Sequence, residues 1–271
     1  MNTMNKDKIV KNNVKIIGNG KQPIVFGHGY GCDQNMWRFI TPAFEKDYQV
    51  ILFDLVGSGN SDQSAYDFEK YSSLKGYAQD LIEMIVELNL SRVIFVGHSV
   101  NCIIGILAAT ARPDLFDDLV LIGPSPCYTN DDDYFGGFTK ADIDELIETL
   151  DSNYLGWSSF ITPIIIGNPE LPEYAEELKN SFCSMNPNIA KHFAKVTFMG
   201  DNRADLENVS IPTLILQSHP DVIAPVRVGE FVNQQIKESH YVLLNASGHC
   251  PHLTAPDQVV SSIESYLANR N

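Results

Sequence analysis

The chain has 271 residues, of which 44% are hydrophobic and 20% charged, and its formal net charge is −15. That length and apolar share suit one large α/β domain, or two small ones, with a sizeable core. The acidic balance argues against nucleic acid and anionic membrane surfaces as partners, because both need clustered Lys and Arg.

Met1–Val10 is polar with interspersed lysines and has no apolar stretch of signal-peptide type, so no secretory leader is expected. Val14–Ile17 and Ile24–Phe26 read as strands entering a sheet. The second leads into Phe26-Gly-His-Gly-Tyr30-Gly, a turn of the kind that offers a backbone N–H to an oxyanion. Val50–Phe53 is the next strand, followed by the Gly-rich loop Asp54–Ser61. That loop lacks a P-loop lysine and the dinucleotide fingerprint, so it reads as a tight structural turn. Tyr77–Leu88 has helical spacing.

The apolar run Val93–Ala111 contains Gly97, His98, Ser99 and Asn101, which suits a strand–turn–helix unit better than a membrane span. A serine between a β-branched run and a helix matches a nucleophile elbow. Its pattern is Gly97-His-Ser99-Val-Asn101, with Asn where a second glycine is usual. Glycine there lets the helix pack close to the strand, so Asn101 is expected to alter the elbow's geometry without removing a catalytic group. Cys102–Ala111 continues as a helix and Leu119–Ile122 as a strand.

From Pro124 to about Gly200 the strand rhythm stops. Four helices are expected, at Lys140–Leu150, Tyr154–Ile166, Pro172–Phe182 and Pro187–Phe198, punctuated by Pro163, Pro169, Pro172 and Pro187. The expected division is a core of 1–123 and 201–271 with a helical cap of 124–200, inserted between the sixth and seventh main strands. Its apolar residues are Phe135, Phe138, Tyr154, Trp157, Phe160, Ile164, Phe182, Phe193 and Phe198. Most should pack the cap itself; Phe135, Phe138, Tyr154, Trp157, Phe160 and Phe193 are the expected lining of an apolar pocket over Ser99. No basic cluster recurs there, which disfavours a phosphorylated or strongly anionic substrate.

Thr213–Leu216 and Tyr241–Leu244 are the last strands. Asp221 follows the first, in Gln217–Pro225, and His249 follows the second, in Ala246–His252. Serine, acid and histidine, in that order and in loops at one sheet edge, form the constellation that activates a hydroxyl nucleophile. The expected triad is therefore Ser99, Asp221 and His249, with the backbone N–H groups of Tyr30 and Val100 as the oxyanion hole. His219, His252 and Asp131–Asp133 are the weaker competitors for the base and acid. The five cysteines, Cys32, Cys102, Cys127, Cys183 and Cys250, are odd in number and form no CxxC pair. Neither a disulfide framework nor a zinc site is expected, and a reducing cytoplasm is the expected compartment.

Gly29–Gln34, Leu52–Gly59, Gly97–Val100, Gly123–Tyr128 and Gly248–His252 together resemble the RsbQ-like α/β-hydrolases, bacterial stress-response regulators related to plant karrikin and strigolactone receptors. Ser152–Trp157 and Phe198–Arg203 extend the likeness through the helical region. The resemblance implies an α/β-hydrolase fold, a mainly parallel twisted sheet with helices on both faces and a four-helix cap. It also implies an apolar pocket, no cofactor, and the same triad and oxyanion residues. Two functions are then expected to compete. One is hydrolysis of a small, mainly apolar ester, lactone or enol ether through an acyl-serine. The other is a slow-turnover ligand receptor acting through a protein partner.

Overall fold

The computed structural model describes residues 10–270; the polar amino-terminal stretch read above lies almost wholly outside them. Seven strands form one sheet in the order β1-β3-β2-β4-β5-β6-β7. They are β1 (Lys15–Ile17), β2 (Gln22–Gly27), β3 (Tyr48–Leu52), β4 (Val93–His98), β5 (Phe116–Ile122), β6 (Thr213–Gln217) and β7 (Ser239–Leu243). Only β1 runs antiparallel, against β3; every other pairing is parallel.

A parallel sheet buried on both faces needs apolar residues pointing each way. Ile24, Phe26, Ile94 and Val96 pack with Val259 and Ile263 on one face, where α9 (Pro256–Ala268) lies. The alternate residues Val25, Val93 and Phe95 join Leu81, Ile103 and Ile104 of α1 (Leu74–Glu87) and α2 (Val100–Ala111) on the other. The apolar run Val93–Ala111 is thus β4, a turn and α2. Among the described residues no helix is long and apolar enough to cross a membrane.

Between β5 and β6 lie four helices: α3 (Lys140–Ser152), α4 (Tyr154–Ile166), α5 (Pro172–Ser184) and α6 (Pro187–Phe198). The insertion follows the fifth strand and not the expected sixth, because the five strand segments read before Pro124 are all the strands that form there. Local chemistry sets the helix ends. Thr139 and Asp142 form a capping box on α3, and Pro172 and Pro187 occupy first-turn positions that need no donor. Pro163 sits inside α4, near its end, within the helix expected at Tyr154–Ile166. Gly167 then closes the helix in the left-handed conformation, φ 63°, donating its N–H to the Pro163 carbonyl at 2.9 Å. The chain ends with α7 (Val226–Gln235), the short α8 (Pro251–Thr254) and α9.

β2 connects outward to β3, whereas β4 continues to β5 on the opposite side. The crevice beyond the carboxyl ends of β2 and β4 is therefore the switch point at which open α/β sheets bind ligands.

Candidate active site

Ser99 occupies that crevice. It follows β4 directly and has φ 55° and ψ −120°, a conformation costly for any residue with a Cβ. Gly97 makes the turn possible: a Cβ there would lie 2.7 Å from the Asn101 carbonyl oxygen. The Ser99 N–H is anchored on the Ile122 carbonyl at 2.9 Å, so the tight turn presents the side chain beyond the sheet edge.

Ser99 Oγ lies 2.8 Å from His249 Nε2, and His249 Nδ1 lies 2.7 Å from Asp221 Oδ2. All three residues are buried. Asp221 Oδ1 accepts the N–H groups of Ile223 and Ala224 at 2.9 and 3.0 Å, which orients the carboxylate toward the ring. A carboxylate can only accept at Nδ1, so Nδ1 carries the ring hydrogen and Nε2 is left to accept from the serine hydroxyl. The His249 backbone is held at both ends: its N–H donates to the Ile165 carbonyl of α4 and its carbonyl accepts from His98 Nε2, each at 2.8 Å. Such an arrangement can remove a proton from Ser99 as its oxygen attacks an electrophilic carbon.

The Phe26–Gly31 turn packs against Ser99, with Gly29 so near that a Cβ on it would lie 3.4 Å from the Ser99 Cβ. Tyr30 and Val100 directly follow Gly29 and Ser99 in the chain, and Val100 is the first residue of α2, where helical donors have no partner within the helix. His28 is buried and structural: its Nδ1 bonds the Gly29 carbonyl at 2.9 Å and its Nε2 accepts the Leu55 N–H at 3.0 Å. The Gly-rich loop is likewise a turn. The buried Asp54 carboxylate accepts from the N–H groups of Gln34 and Asn60, each at 2.9 Å. Asn101 does not merely separate helix from strand; its amide donates to the His28 carbonyl.

The competing groups are placed elsewhere. His219 is exposed, as are Asp131–Asp133, with Asp131 paired to Arg203. His252 is fully buried, its ring 4.8 Å from Trp37 and 4.3 Å from His98. Burial pushes both His252 and His98 below the usual imidazole range, His252 to about 3, so the two rings are neutral at pH 7. Among the described residues, His98, Cys250 and His252 are the one group of possible metal donors, all buried and within 4.8 Å of one another. His98 already spends Nε2 on the His249 carbonyl. The five cysteines are all unpaired, and only Cys183 is exposed.

A cavity of about 300 Å³ opens over Ser99 and His249, at the small end of ligand sites. Phe138, Trp157 and Phe160 line it as expected from the sequence. Phe135, Tyr154 and Phe193 do not, and the expectation for them is corrected. Phe135 lies under the Arg227 guanidinium, 4.5 Å from its ring centre. Tyr154 donates its hydroxyl to the Phe182 carbonyl at 2.7 Å, and Phe193 stacks on Tyr77 at 4.6 Å. Their rings face neighbouring helices or the core. The wall instead includes Tyr30, Tyr128, Leu146, Leu178, Phe182 and Phe198, with Ile161, Ile164 and Ile165 of α4. Trp157, Phe160, Ile161, Ile164 and Ile165 follow the spacing of one helix face, a signal present in the sequence. Burial pushes the Tyr128 phenol above its usual range. No Lys, Arg, Asp or Glu is among the lining residues.

Residues 24–262 match the model of the alpha/beta hydrolase family. The chain is 41% identical over 249 residues to "Karrikin insensitive 2 receptor CA" of Petunia hybrida, covering 92% of each protein. It is 34% identical over 256 residues to "Strigolactone esterase D14" of Arabidopsis thaliana, covering 94% of this chain and 96% of the relative. Among solved structures, a hydrolase from Oleispira antarctica superposes with a TM-score of 0.95 at 42% identity, covering 98% of this chain and 97% of that one.

Proposed function

The chain belongs to the α/β-hydrolase family, and on that premise we propose that it is a serine hydrolase of a small, mainly apolar ester, lactone or enol ether. The observation that carries this reading is the unbroken relay Ser99–His249–Asp221 beneath an uncharged cavity. Ser99 Oγ attacks the ester carbon while His249 Nε2 takes its proton. Asp221 holds the ring in the required tautomer and stabilises the imidazolium. The oxygen that gains negative charge is received by the Tyr30 and Val100 N–H groups. His249 then returns the proton to the leaving oxygen, an acyl-serine forms, and water activated by the same histidine releases the acid. Residues 124–200 serve as the lid that gives this centre its apolar walls, on a core formed by the described residues up to 123 and from 201 onward.

A second reading, a slow-turnover receptor that binds a small apolar molecule and signals through a protein partner, is favoured by the likeness to a karrikin receptor. Both readings predict the same ligand chemistry and differ in rate. A panel of short-chain aryl esters and lactones, assayed beside thermal shifts, tests them. We expect measurable but poor turnover and stabilisation by small apolar ligands, which bind the native state preferentially. Turnover of hundreds per second on a charged, polar substrate would overturn both the apolar-site reading and the receptor reading.

A further inference from the structure

Asn101 is fully buried in the first turn of α2, and neither the triad nor the cavity wall uses its side chain. Its Nδ2–H donates to the backbone carbonyl of His28, 73 residues earlier in the chain. That carbonyl lies just beyond the end of β2, where pairing with β4 stops at Gly27 opposite Gly97. A buried carbonyl that leaves a ladder still needs a partner, and Asn101 supplies it. The two opposed glycines make the slot. A Cβ on Gly27 would lie 2.7 Å from the Asn101 side chain, and one on Gly97 would lie 2.7 Å from the Asn101 backbone.

Asn101 Oδ1 is buried with no hydrogen-bond partner. An unpaired buried carbonyl is a cost that a small or apolar residue here would avoid. What the amide obtains in exchange is a link between two loops. Asn101 follows Val100, one of the two proposed oxyanion donors, and holds the peptide that precedes Gly29 and Tyr30, the other. The next peptide is held in turn by His28, whose Nδ1 bonds the Gly29 carbonyl, and by the Cys32 N–H, which donates to the same carbonyl at 3.2 Å. Because a peptide is planar and trans, fixing that carbonyl aims the Tyr30 N–H the opposite way.

We propose that Asn101 is a positioning residue that sets the separation of the Tyr30 and Val100 N–H groups by tying the nucleophile turn to the Phe26–Gly31 loop. The inference rests on the hydrolase reading above. Without the tie the His28 carbonyl is unpaired, and the loop that carries the Tyr30 N–H shifts as a unit relative to Val100, which moves the donor from the oxygen that becomes negative. Misplacement of a single oxyanion donor lowers rate with little effect on ground-state binding.

The test compares the natural protein with Asn101→Gly and Asn101→Ser on one aryl ester, using phenylboronic acid as the tetrahedral-anion mimic and toluene as a neutral apolar ligand. Both variants are expected to lose on the order of 10- to 100-fold in kcat with KM within about threefold. Phenylboronic acid affinity should fall in parallel with kcat, and the thermal shift with toluene should be unchanged. If Asn101→Gly does not fold, Asn101→Ser carries the test, since its hydroxyl is too short to span to His28. Natural kcat in either folded variant overturns the proposal, and so does failure of both to fold, which would make Asn101 a packing residue. Absence of ester turnover and of Ser99 labelling in the natural protein would instead overturn the hydrolase reading on which it stands.

Discussion

The loops at the carboxyl edge of the sheet and the helices that lie over them are held by different forces. In the loops each proposed catalytic group is fixed by directional bonds. Asp221 accepts two backbone N–H groups, His249 is tied through N–H and carbonyl, and Ser99 is pinned to β5. In the helices the cavity-facing groups are fixed mainly by packing. Trp157 stacks with Tyr154 and with Phe182, with ring centres 6.2 and 5.5 Å apart and planes 20° and 12° apart. Hydrogen bonds aim atoms to fractions of an ångström, and packed rings define a volume. On the function proposed above, the loops carry the reaction and the helices supply most of the wall that selects the ligand. Polar links between them include Tyr30 to the Ala190 carbonyl, Ser181 to the Gly31 carbonyl, His249 to the Ile165 carbonyl, Tyr66 to His192, Asn168 to Ser247 and the Arg38–Glu177 pair.

Substitutions on either side should separate rate from binding. The largest effect is expected from Asp221→Asn, which keeps the shape but removes the charge that fixes the His249 tautomer. Its kcat should fall by on the order of 10³- to 10⁴-fold, while small apolar ligands stabilise the protein as before. Loss of that thermal shift would mean that the two regions are not separable.

Gly31→Ala acts at the junction. Gly31 has φ 74°, and a Cβ on it would lie 1.5 Å from the Phe182 ring. The left-handed conformation and the displaced ring together should cost roughly 2 to 5 kcal/mol in denaturant unfolding. KM for apolar esters should rise more than kcat falls. A natural KM with lowered stability would show that Phe182 does not shape the site.

The last effect, seen only under acid conditions, concerns His252, whose ring is neutral because burial holds its folded pKa near 3. An unfolded chain binds that proton near pH 6.5. The stability contribution is therefore complete above about pH 6.5 and is lost as pH falls from there toward 3, by up to about 1.4 kcal/mol per pH unit. The buried His98 adds to the slope in the same direction. His252→Phe should flatten, without abolishing, the decline in unfolding free energy between pH 6 and pH 4; an unchanged slope would assign the decline to other groups.

The same division explains what could be read before the fold was known. A strand, a tight turn with Gly97 and Ser99, and a helix are local patterns, and the later acid and histidine each follow a recognisable strand. The helices Tyr154–Ile166 and Pro187–Phe198 were legible to the residue because asparagine and proline mark their starts. The inward face of each helix was not legible from aromatic content. Phe193 and Tyr154 are as apolar as Trp157, but tertiary packing turned one toward Tyr77 and set the other behind Trp157. The Asn101–His28 bond joins residues too distant in sequence for any periodicity to reveal. Its only trace was an asparagine in place of a glycine.

The central claim is that Ser99 is an activated nucleophile. Intact-mass spectrometry after treatment with an alkyl p-nitrophenyl phosphonate, with peptide mapping of the adduct, tests it most directly. One phosphonyl group on Ser99, absent from Ser99→Ala and formed far more slowly in His249→Ala, is the predicted result. An adduct on any other residue, or an undiminished labelling rate in His249→Ala, would contradict it.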